Sequence, residues 1–247
     1  MAYPNMDALA MGTNLRASYL QCQSMLRNYL NLDSVNISYS KLRYDNILST
    51  TAINNITFSP LAVQNTGSTS PSTANVLLNN GDVFFMVNQG FYISKQITAT
   101  TYGKQALHTF PNSYVFTGAA VGGFTEAQNL NEIYNGYYSL QVNVKTIIPN
   151  ASMEQFQYAD FGQLGTNTPT LSSDSFDVTK QLKEIQPNPL LLGGIKAQYT
   201  IQIPDSTILT PVASATTPNV LTWMSYGFLL SGVSDSIIQT INEALYK

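Results

Sequence analysis

The amino-terminal part of the chain carries apolar residues at helical spacing. Between positions 7 and 30 they recur at steps of three and four, which places them on one face of a helix. The residues on this face are Ala8, Met11, Leu15, Tyr19, Cys22, Leu26 and Tyr29. Arg16 and Arg27 lie off the face, and Asp7 occupies the position of an N-cap. The pattern predicts an amphipathic helix over residues 7–30.

From residue 31 onward, apolar and polar residues tend to alternate, as in strands that bury one side. Strands are predicted at 35–39, 56–58, 82–97, 137–148, 197–203 and 219–230. A turn or bulge is expected at Asn88–Gly90, within the third strand. The segment 137–148 reads as a single strand, with Tyr138 and Val144 on the same side. The last segment is apolar almost throughout, which predicts a strand in the centre of a sheet.

Two further segments, 125–135 and 234–247, have helical spacing. The segment 64–75 contains no large apolar residue and is predicted to be an exposed loop. Many short strands separated by turn signals predict an all-β sandwich or barrel.

Two blocks of sequence occur twice, in the same order. "FYISKQI" (91–97) is similar to "FDVTKQL" (176–182), and "PNSYVFTG" (111–118) to "PNPLLLGG" (187–194). The corresponding positions are Phe91 and Phe176, Lys95 and Lys180, Pro111 and Pro187, and Gly118 and Gly194. A strand ending in "IIPN" and one ending in "QIPD" follow. The repeat predicts a duplication, with a helical arm at 1–30 and halves at 31–150 and 151–247. A single larger sandwich with an accidental similarity is the alternative.

The composition is poor in charge. Charged residues make up 10% of the chain, against about 25% in typical soluble domains. Amide and hydroxyl side chains replace them, and amides cost less to desolvate than ions. Fifteen tyrosines suit protein interfaces as well. These features favour a protein whose surface is covered by neighbours, although a surface protein with ordinary polar decoration would also fit.

The charges are unevenly distributed along the chain. Arg16, Arg27 and Arg43 are all of its arginines, and with Lys41 they outnumber the acids in residues 1–43, whereas the remainder is acidic. A basic arm on an acidic body favours contact with an anionic surface such as phospholipid headgroups or nucleic acid. A solvated helix face is the alternative. The acidic body argues against sequence-specific nucleic-acid binding.

Candidate chemistry is sparse. His108 is the one histidine and Cys22 the one cysteine, so the sequence offers no zinc set, catalytic motif or intramolecular disulfide. The carboxylates at Asp174, Asp177 and Glu184 are interpreted as solvated rather than as a calcium site. We therefore expect no enzymatic activity, no catalytic residue, no cofactor and no metal. The start "MAYPNMDALA" resembles no secretory signal, which predicts synthesis in a host cytoplasm.

The paired blocks "FYISKQI/FDVTKQL" and "PNSYVFTG/PNPLLLGG", the helix 7–30 and the body 31–247 resemble the double jelly-roll major capsid proteins of tailless bacteriophages with an internal membrane. The resemblance covers most of the chain and is one of pattern. It implies two tandem jelly-roll sandwiches, an N-terminal amphipathic helix and a short C-terminal helix. It also implies a homotrimer of pseudo-hexagonal outline in an icosahedral virion. The N-terminal segment, with Arg16, Arg27 and Arg43, would then lie on the inner side, near the membrane.

Two functions remain at this point. The first is a virion structural protein, most closely a phage major capsid protein, whose partners are further copies of itself and other virion proteins. The second is a phage fibre or spike domain, or a cell-surface carbohydrate-binding sandwich, in which exposed tyrosines and Trp223 would stack on sugar. Trp223 lies in the apolar segment 219–230, which favours a place in the core. The oligomeric state separates the two functions.

Overall fold

The computed structural model describes residues 13–32, 35–62, 75–96, 106–119, 123–157 and 182–247. These residues form nine strands and three α-helices. The strands are β1 (Asn36–Ile47), β2 (Ile53–Phe58), β3 (Asp82–Lys95), β4 (Tyr137–Val142), β5 (Lys145–Ser152), β6 (Lys183–Glu184), β7 (Leu190–Leu192), β8 (Ala197–Thr207) and β9 (Asn219–Ser231). The helices are α1 (Thr13–Leu26), α2 (Glu126–Tyr134) and α3 (Asp235–Tyr246).

The strands form two antiparallel sheets, which confirms the prediction of an all-β sandwich. The first sheet has the order β1-β9-β3, and the short strands β6 and β7 both pair with the free edge of β3. The second has the order β2-β8-β4-β5. β9 lies between β1 and β3, as its continuous apolar sequence predicts.

The strand pairing is nested from the ends of the chain inward. β1 pairs with β9, β2 with β8, β3 with the β6–β7 edge, and β4 with β5. The chain is therefore one long antiparallel hairpin with its tip between β4 and β5. Two further pairings, β3 with β9 and β4 with β8, roll this hairpin up into the two sheets. A rolled hairpin of this kind, with β6 and β7 sharing one edge position, has the eight-strand order of a single jelly roll.

Aromatic rings fill the space between the sheets. Phe58 of β2 stacks on Tyr44 of β1 and on Tyr199 of β8, with ring centroids 5.2 and 5.1 Å apart. Trp223 of β9 lies 5.2 Å from Tyr199, and Phe91 of β3 lies 5.5 Å from Tyr138 of β4. Rings from both sheets thus interdigitate in one hydrophobic cluster.

The expected second sandwich is not confirmed. Strands from 31–150 and from 151–247 pair with each other in both sheets, and their apolar residues belong to the same cluster. A boundary at residue 150 would cut β8 and β9 from β1, β2, β3 and β4, on which they depend for hydrogen bonds. In the described part of the chain, the two predicted halves therefore form one sandwich.

The segment 137–148 is two strands, so the prediction of a single strand is wrong. The chain reverses at Asn143 and Val144, and β4 and β5 pair as a hairpin. Asn143 has φ 54°, a left-handed conformation that asparagine tolerates better than most residues. Alternation alone could not reveal the turn, because Val144 continues the apolar pattern across it.

The two Pro-Asn blocks fold differently, so their equivalence is not confirmed. In the first block the Asn112 side chain accepts a hydrogen bond from the Tyr114 backbone N–H at 2.9 Å, and residues 113–115 form a turn. These local bonds compete with strand formation. The second block contains strand β7. Phe91 is in the core, whereas Phe176 and Lys180 lie outside the described residues.

Candidate functional surfaces

Helix α1 packs on the outer side of the first sheet. Tyr19 contacts Phe228 of β9 edge to face, with ring centroids 5.2 Å apart. Phe228 is five residues from the inward-facing Trp223 and so points away from the sandwich interior. Cys22 and Leu26 are fully buried. The predicted apolar face is therefore confirmed from Leu15 to Leu26, but the helix ends at Leu26 and Tyr29 lies in the turn that follows, so the predicted end at residue 30 is wrong. The predicted helix residues 7–12 lie outside the described part.

The exposed flank of α1, continued by Arg27 directly after its end, is basic and partly apolar. Arg16 and Arg27 are exposed, and Leu20, which lies between them, is 54% exposed. Steps of four and seven residues place these three side chains within about 40° of one another around the helix. The surface Arg16–Leu20–Arg27, here called the α1 outer face, presents two positive charges beside an apolar side chain.

Arg43, the third predicted basic residue, has a different position. Its guanidinium donates two hydrogen bonds to the buried Asp45 carboxylate, at 2.9 and 3.1 Å. Asp45 also accepts a hydrogen bond from Thr222 of β9 at 2.8 Å. A bidentate pair of this kind fixes the guanidinium plane. Arg43 therefore stabilises the β1–β9 edge and does not belong to the α1 outer face.

A cleft of about 920 Å³ opens beside α2. Its walls come from α2, from the loop around Pro111 and from the end of β8. Phe110, Pro111 and Phe124 supply apolar surface, and Phe124 is 58% exposed. Glu132 and Asp205 supply carboxylates, and the described lining residues include no lysine or arginine. The cleft therefore suits an apolar group that carries neutral polar or positively charged atoms.

Hydrogen bonds hold the cleft walls in place. Asn129 of α2 donates to the Ile208 carbonyl at 3.0 Å, which fixes the helix to the segment after β8. Gln157 donates to Asn131 at 2.7 Å. Thr125 and Gln128 form a capping box at the start of α2. Its Thr-x-x-Gln signal is readable in the sequence. The cleft itself cannot be read from the sequence, because its walls come from separate segments.

An ion pair behind the cleft fixes the first residue of α2. The Glu126 carboxylate is buried and accepts from Lys95 at 2.9 Å, from the Gly118 backbone N–H at 2.7 Å and from the Asn219 side chain at 2.7 Å. An added Cβ at Gly118 would lie 2.7 Å from a Glu126 oxygen. Glycine thus permits the close approach on which the network depends.

The single histidine and cysteine occupy apolar surroundings. His108 continues the β3 side of the first sheet through two backbone hydrogen bonds with Ile93, and its ring contacts Phe116. Burial lowers the pKa of His108. Burial raises the pKa of the Cys22 thiol to about 12, which disfavours the reactive thiolate at neutral pH.

Trp223 is fully buried, as its apolar segment predicts. Its indole N–H donates to the Gln89 side-chain oxygen at 3.2 Å, and the same oxygen accepts from Tyr199 at 2.9 Å. The Gln89 amide donates to Tyr138 at 2.8 Å. This interior network joins β3 and β9 to β4 and β8, so these tyrosines and Trp223 connect the sheets.

Within the described residues, no group of three or more histidine, cysteine, aspartate or glutamate side chains is arranged to hold a metal ion. Glu184 lies on β6, whereas Asp174 and Asp177 are outside the described part. No described helix has the length and apolar character needed to cross a membrane.

Comparison with protein-family models, with curated proteins and with solved structures found no match.

Proposed function

We propose that this chain is a structural protein of a virus particle, most closely a phage major capsid protein that assembles with copies of itself into an icosahedral shell. The observation that carries the proposal is the nested pairing of β1 with β9, β2 with β8, β3 with β6–β7 and β4 with β5. This strand order is the jelly roll that viral capsid domains use.

Lectin domains and cupins use the same architecture, so the surface has to separate the possibilities. Large hydrophobic side chains are exposed on several different elements: Leu20, Tyr39, Val76, Tyr114, Phe124, Tyr137, Val144 and Val212. Together with a charged fraction of 10%, this distribution suits a molecule that contacts neighbours on several sides. A sugar-binding module needs exposed apolar side chains at one site only.

The α1 outer face supports a position on the inner side of the shell. Arg16 and Arg27 would face anionic headgroups of an internal membrane, and Leu20 would lie at the headgroup boundary. Arg43 takes no part in this contact, because it is paired with Asp45.

The number of sandwiches determines the capsomer. A pseudo-hexagonal trimer needs two tandem jelly rolls per chain. The described residues supply one, and one sandwich per chain gives a six-fold outline only when six chains combine. We therefore propose self-assembly in general, and a trimer of chains with two jelly rolls each as its more specific form. A capsomer mass of three or six times 27.1 kDa distinguishes the two forms.

The test is to follow the purified protein by light scattering and negative-stain electron microscopy as concentration rises. We expect discrete capsomers that continue into shells or curved sheets. A chain that stays monomeric at every concentration and salt condition would contradict the proposal.

The cleft beside α2 supports a second candidate, a carbohydrate-binding module. An exposed ring, Phe124, stands beside neutral hydrogen-bonding groups such as Gln128 and Asn131. This combination suits a sugar, which offers a face for stacking and hydroxyls for hydrogen bonds. A monomer that binds a glycan array, and loses that binding when Phe124 is replaced by alanine, would establish this function instead.

A further inference from the structure

We propose that the cleft beside α2 receives the β4–β5 hairpin tip of a second copy of this chain. This inference rests on the proposed function, since it specifies one contact through which the copies would assemble. It identifies a projecting surface and a receiving surface on the same molecule. The projecting surface, here called the hairpin tip, consists of Asn143, Val144 and Lys145.

The hairpin tip projects an apolar side chain into solvent. Val144 is 72% exposed at the turn between two paired strands, where its packing contributes nothing to the core. An apolar group in this position is available to a neighbouring molecule. The cleft offers matching apolar surface at Phe110, Pro111 and Phe124. Its volume of about 920 Å³ is at the upper end of clefts that enclose drug-sized ligands, about 300–1,000 Å³, so a turn of three residues fits.

The hairpin tip is held in place before any neighbour arrives. The Asn143 backbone N–H donates to the Lys196 carbonyl at 2.7 Å, and its side chain donates to Asn242 of α3 at 3.1 Å. Lys145 donates to the Leu245 carbonyl at 3.1 Å. A turn fixed from both sides loses little conformational freedom on docking, which favours association.

The two surfaces carry opposite charge. Lys145 and Lys196 are exposed at the hairpin tip, and the charge of Lys247 is offset by its pair with Glu243. The cleft carries the carboxylates of Glu132 and Asp205, with no basic side chain among its described lining residues. Complementary charge guides the approach of two copies and sets their orientation.

The two surfaces lie at opposite ends of the second sheet. The hairpin tip follows the end of β4 at Val142, which pairs with Ala197 at the start of β8. The cleft lies at Asp205–Thr207, at the other end of β8. Eight residues of strand separate Ala197 from Asp205, or about 26 Å. A contact between opposite ends joins copies head to tail, and such a contact closes into a ring or continues as an array.

The experiment uses the full chain and three variants, with wild-type assembly as the reference. Val144→Asp places a carboxylate on the hairpin tip, where it meets Glu132 and Asp205. Phe124→Asp alters the cleft and leaves the hairpin tip intact. Thr216→Asp is the matched control, because Thr216 is exposed and belongs to neither surface. Circular dichroism melting establishes that each variant is folded.

We expect Val144→Asp and Phe124→Asp each to need at least a tenfold higher concentration than wild type to associate, as measured by light scattering. Thr216→Asp should associate as wild type does. An equimolar mixture of the two defective variants should form heterodimers that neither forms alone, because one supplies an intact cleft and the other an intact hairpin tip. Growth should stop at the heterodimer, since both of its remaining ends are altered.

Assembly of Val144→Asp at the wild-type concentration would overturn the inference and leave the proposed function standing. Equal loss of assembly in Thr216→Asp would also overturn it, since the effect would then follow from any added carboxylate. Glycan binding at the cleft, with assembly unchanged in Phe124→Asp, would identify a sugar as the occupant. Wild-type protein that never associates would contradict the proposed function itself.

Discussion

Lys95, at the end of β3, donates to the Glu126 carboxylate at the start of α2, with 2.9 Å between the two charged groups. The Glu126 side chain is 1% exposed, and that of Lys95 is 24% exposed. The pair joins the first sheet to the helix that forms one wall of the cleft. Removal of Glu126 therefore costs less stability than removal of Lys95, because an unpaired lysine can reach water whereas an unpaired glutamate stays buried.

Replacement of Lys95 by methionine should lower the free energy of unfolding by about 3–5 kcal/mol, because it leaves a buried carboxylate without its cation. Glu126→Gln should cost less, about 1–3 kcal/mol, because it leaves no buried charge, although its single amide oxygen can replace only one of the two carboxylate oxygens that accept from Gly118 and Asn219. Urea unfolding measures both. The double variant Lys95→Met/Glu126→Gln should be more stable than Lys95→Met alone. Additive losses in the double variant would show that the two side chains are not coupled.

Gln89 is the centre of the polar network between the sheets. Gln89→Leu should lower the free energy of unfolding by about 3 kcal/mol or more, because it leaves Tyr138, Tyr199 and Trp223 without this buried hydrogen-bond partner. Tyr199→Phe is the matched control and should cost about 1 kcal/mol, since it removes one hydroxyl and keeps the ring stacked on Phe58. Equal losses in the two variants, measured by urea unfolding, would argue against a cooperative network.

The elements that follow from local pattern could be predicted from the sequence. Alternation marked the positions of β1, β2 and β8, a continuous apolar run marked β9, and helical spacing marked α2 and α3. The expected irregularity near Asn88 is a register shift in the pairing of β3 with β9. The β4–β5 turn escaped detection because Val144 keeps the alternation that a strand would have. Turn chemistry at Asn143 was the available signal.

The sandwich count and the cleft depend on pairing between distant residues, which local pattern does not report. Similar blocks at 111–118 and 187–194 adopt a turn and a strand, because Asn112 binds its own backbone whereas Leu190–Leu192 pair with β3. The basic face of α1 was predictable from Arg16 and Arg27. The role of Arg43 was not predictable. Alternation puts Asp45 on the same side of the strand, but it does not reveal that Thr222 donates a hydrogen bond to the Asp45 carboxylate.

His108 should make stability depend on pH. Burial lowers the pKa of His108 in the folded protein, so the unfolded chain takes up its proton first as pH falls. The stabilisation is complete above the unfolded pKa, about 6.5, and decreases as pH falls below it toward the folded value. We expect wild type to lose more free energy of unfolding than His108→Gln between about pH 7.5 and pH 5.5. Parallel losses in the two proteins would assign the pH dependence to carboxylates.

The α1 outer face should bind anionic membranes if it lies on the inner side of a shell. Arg16→Glu/Arg27→Glu should abolish co-sedimentation with vesicles that contain phosphatidylserine, because each basic residue at such a surface contributes about 1 kcal/mol and reversal makes the contact repulsive. Leu20→Ser should weaken binding less, through loss of the apolar contact. Arg16, Arg27 and Leu20 are all exposed. Capsomer formation and thermal stability should therefore be unchanged in these variants. Lys183→Glu, an exposed reversal on β6, is the control for a charge reversal away from α1. Wild-type protein that ignores anionic vesicles, or a double variant that still binds them, would leave α1 as a helix whose role is to cover the outer side of the first sheet.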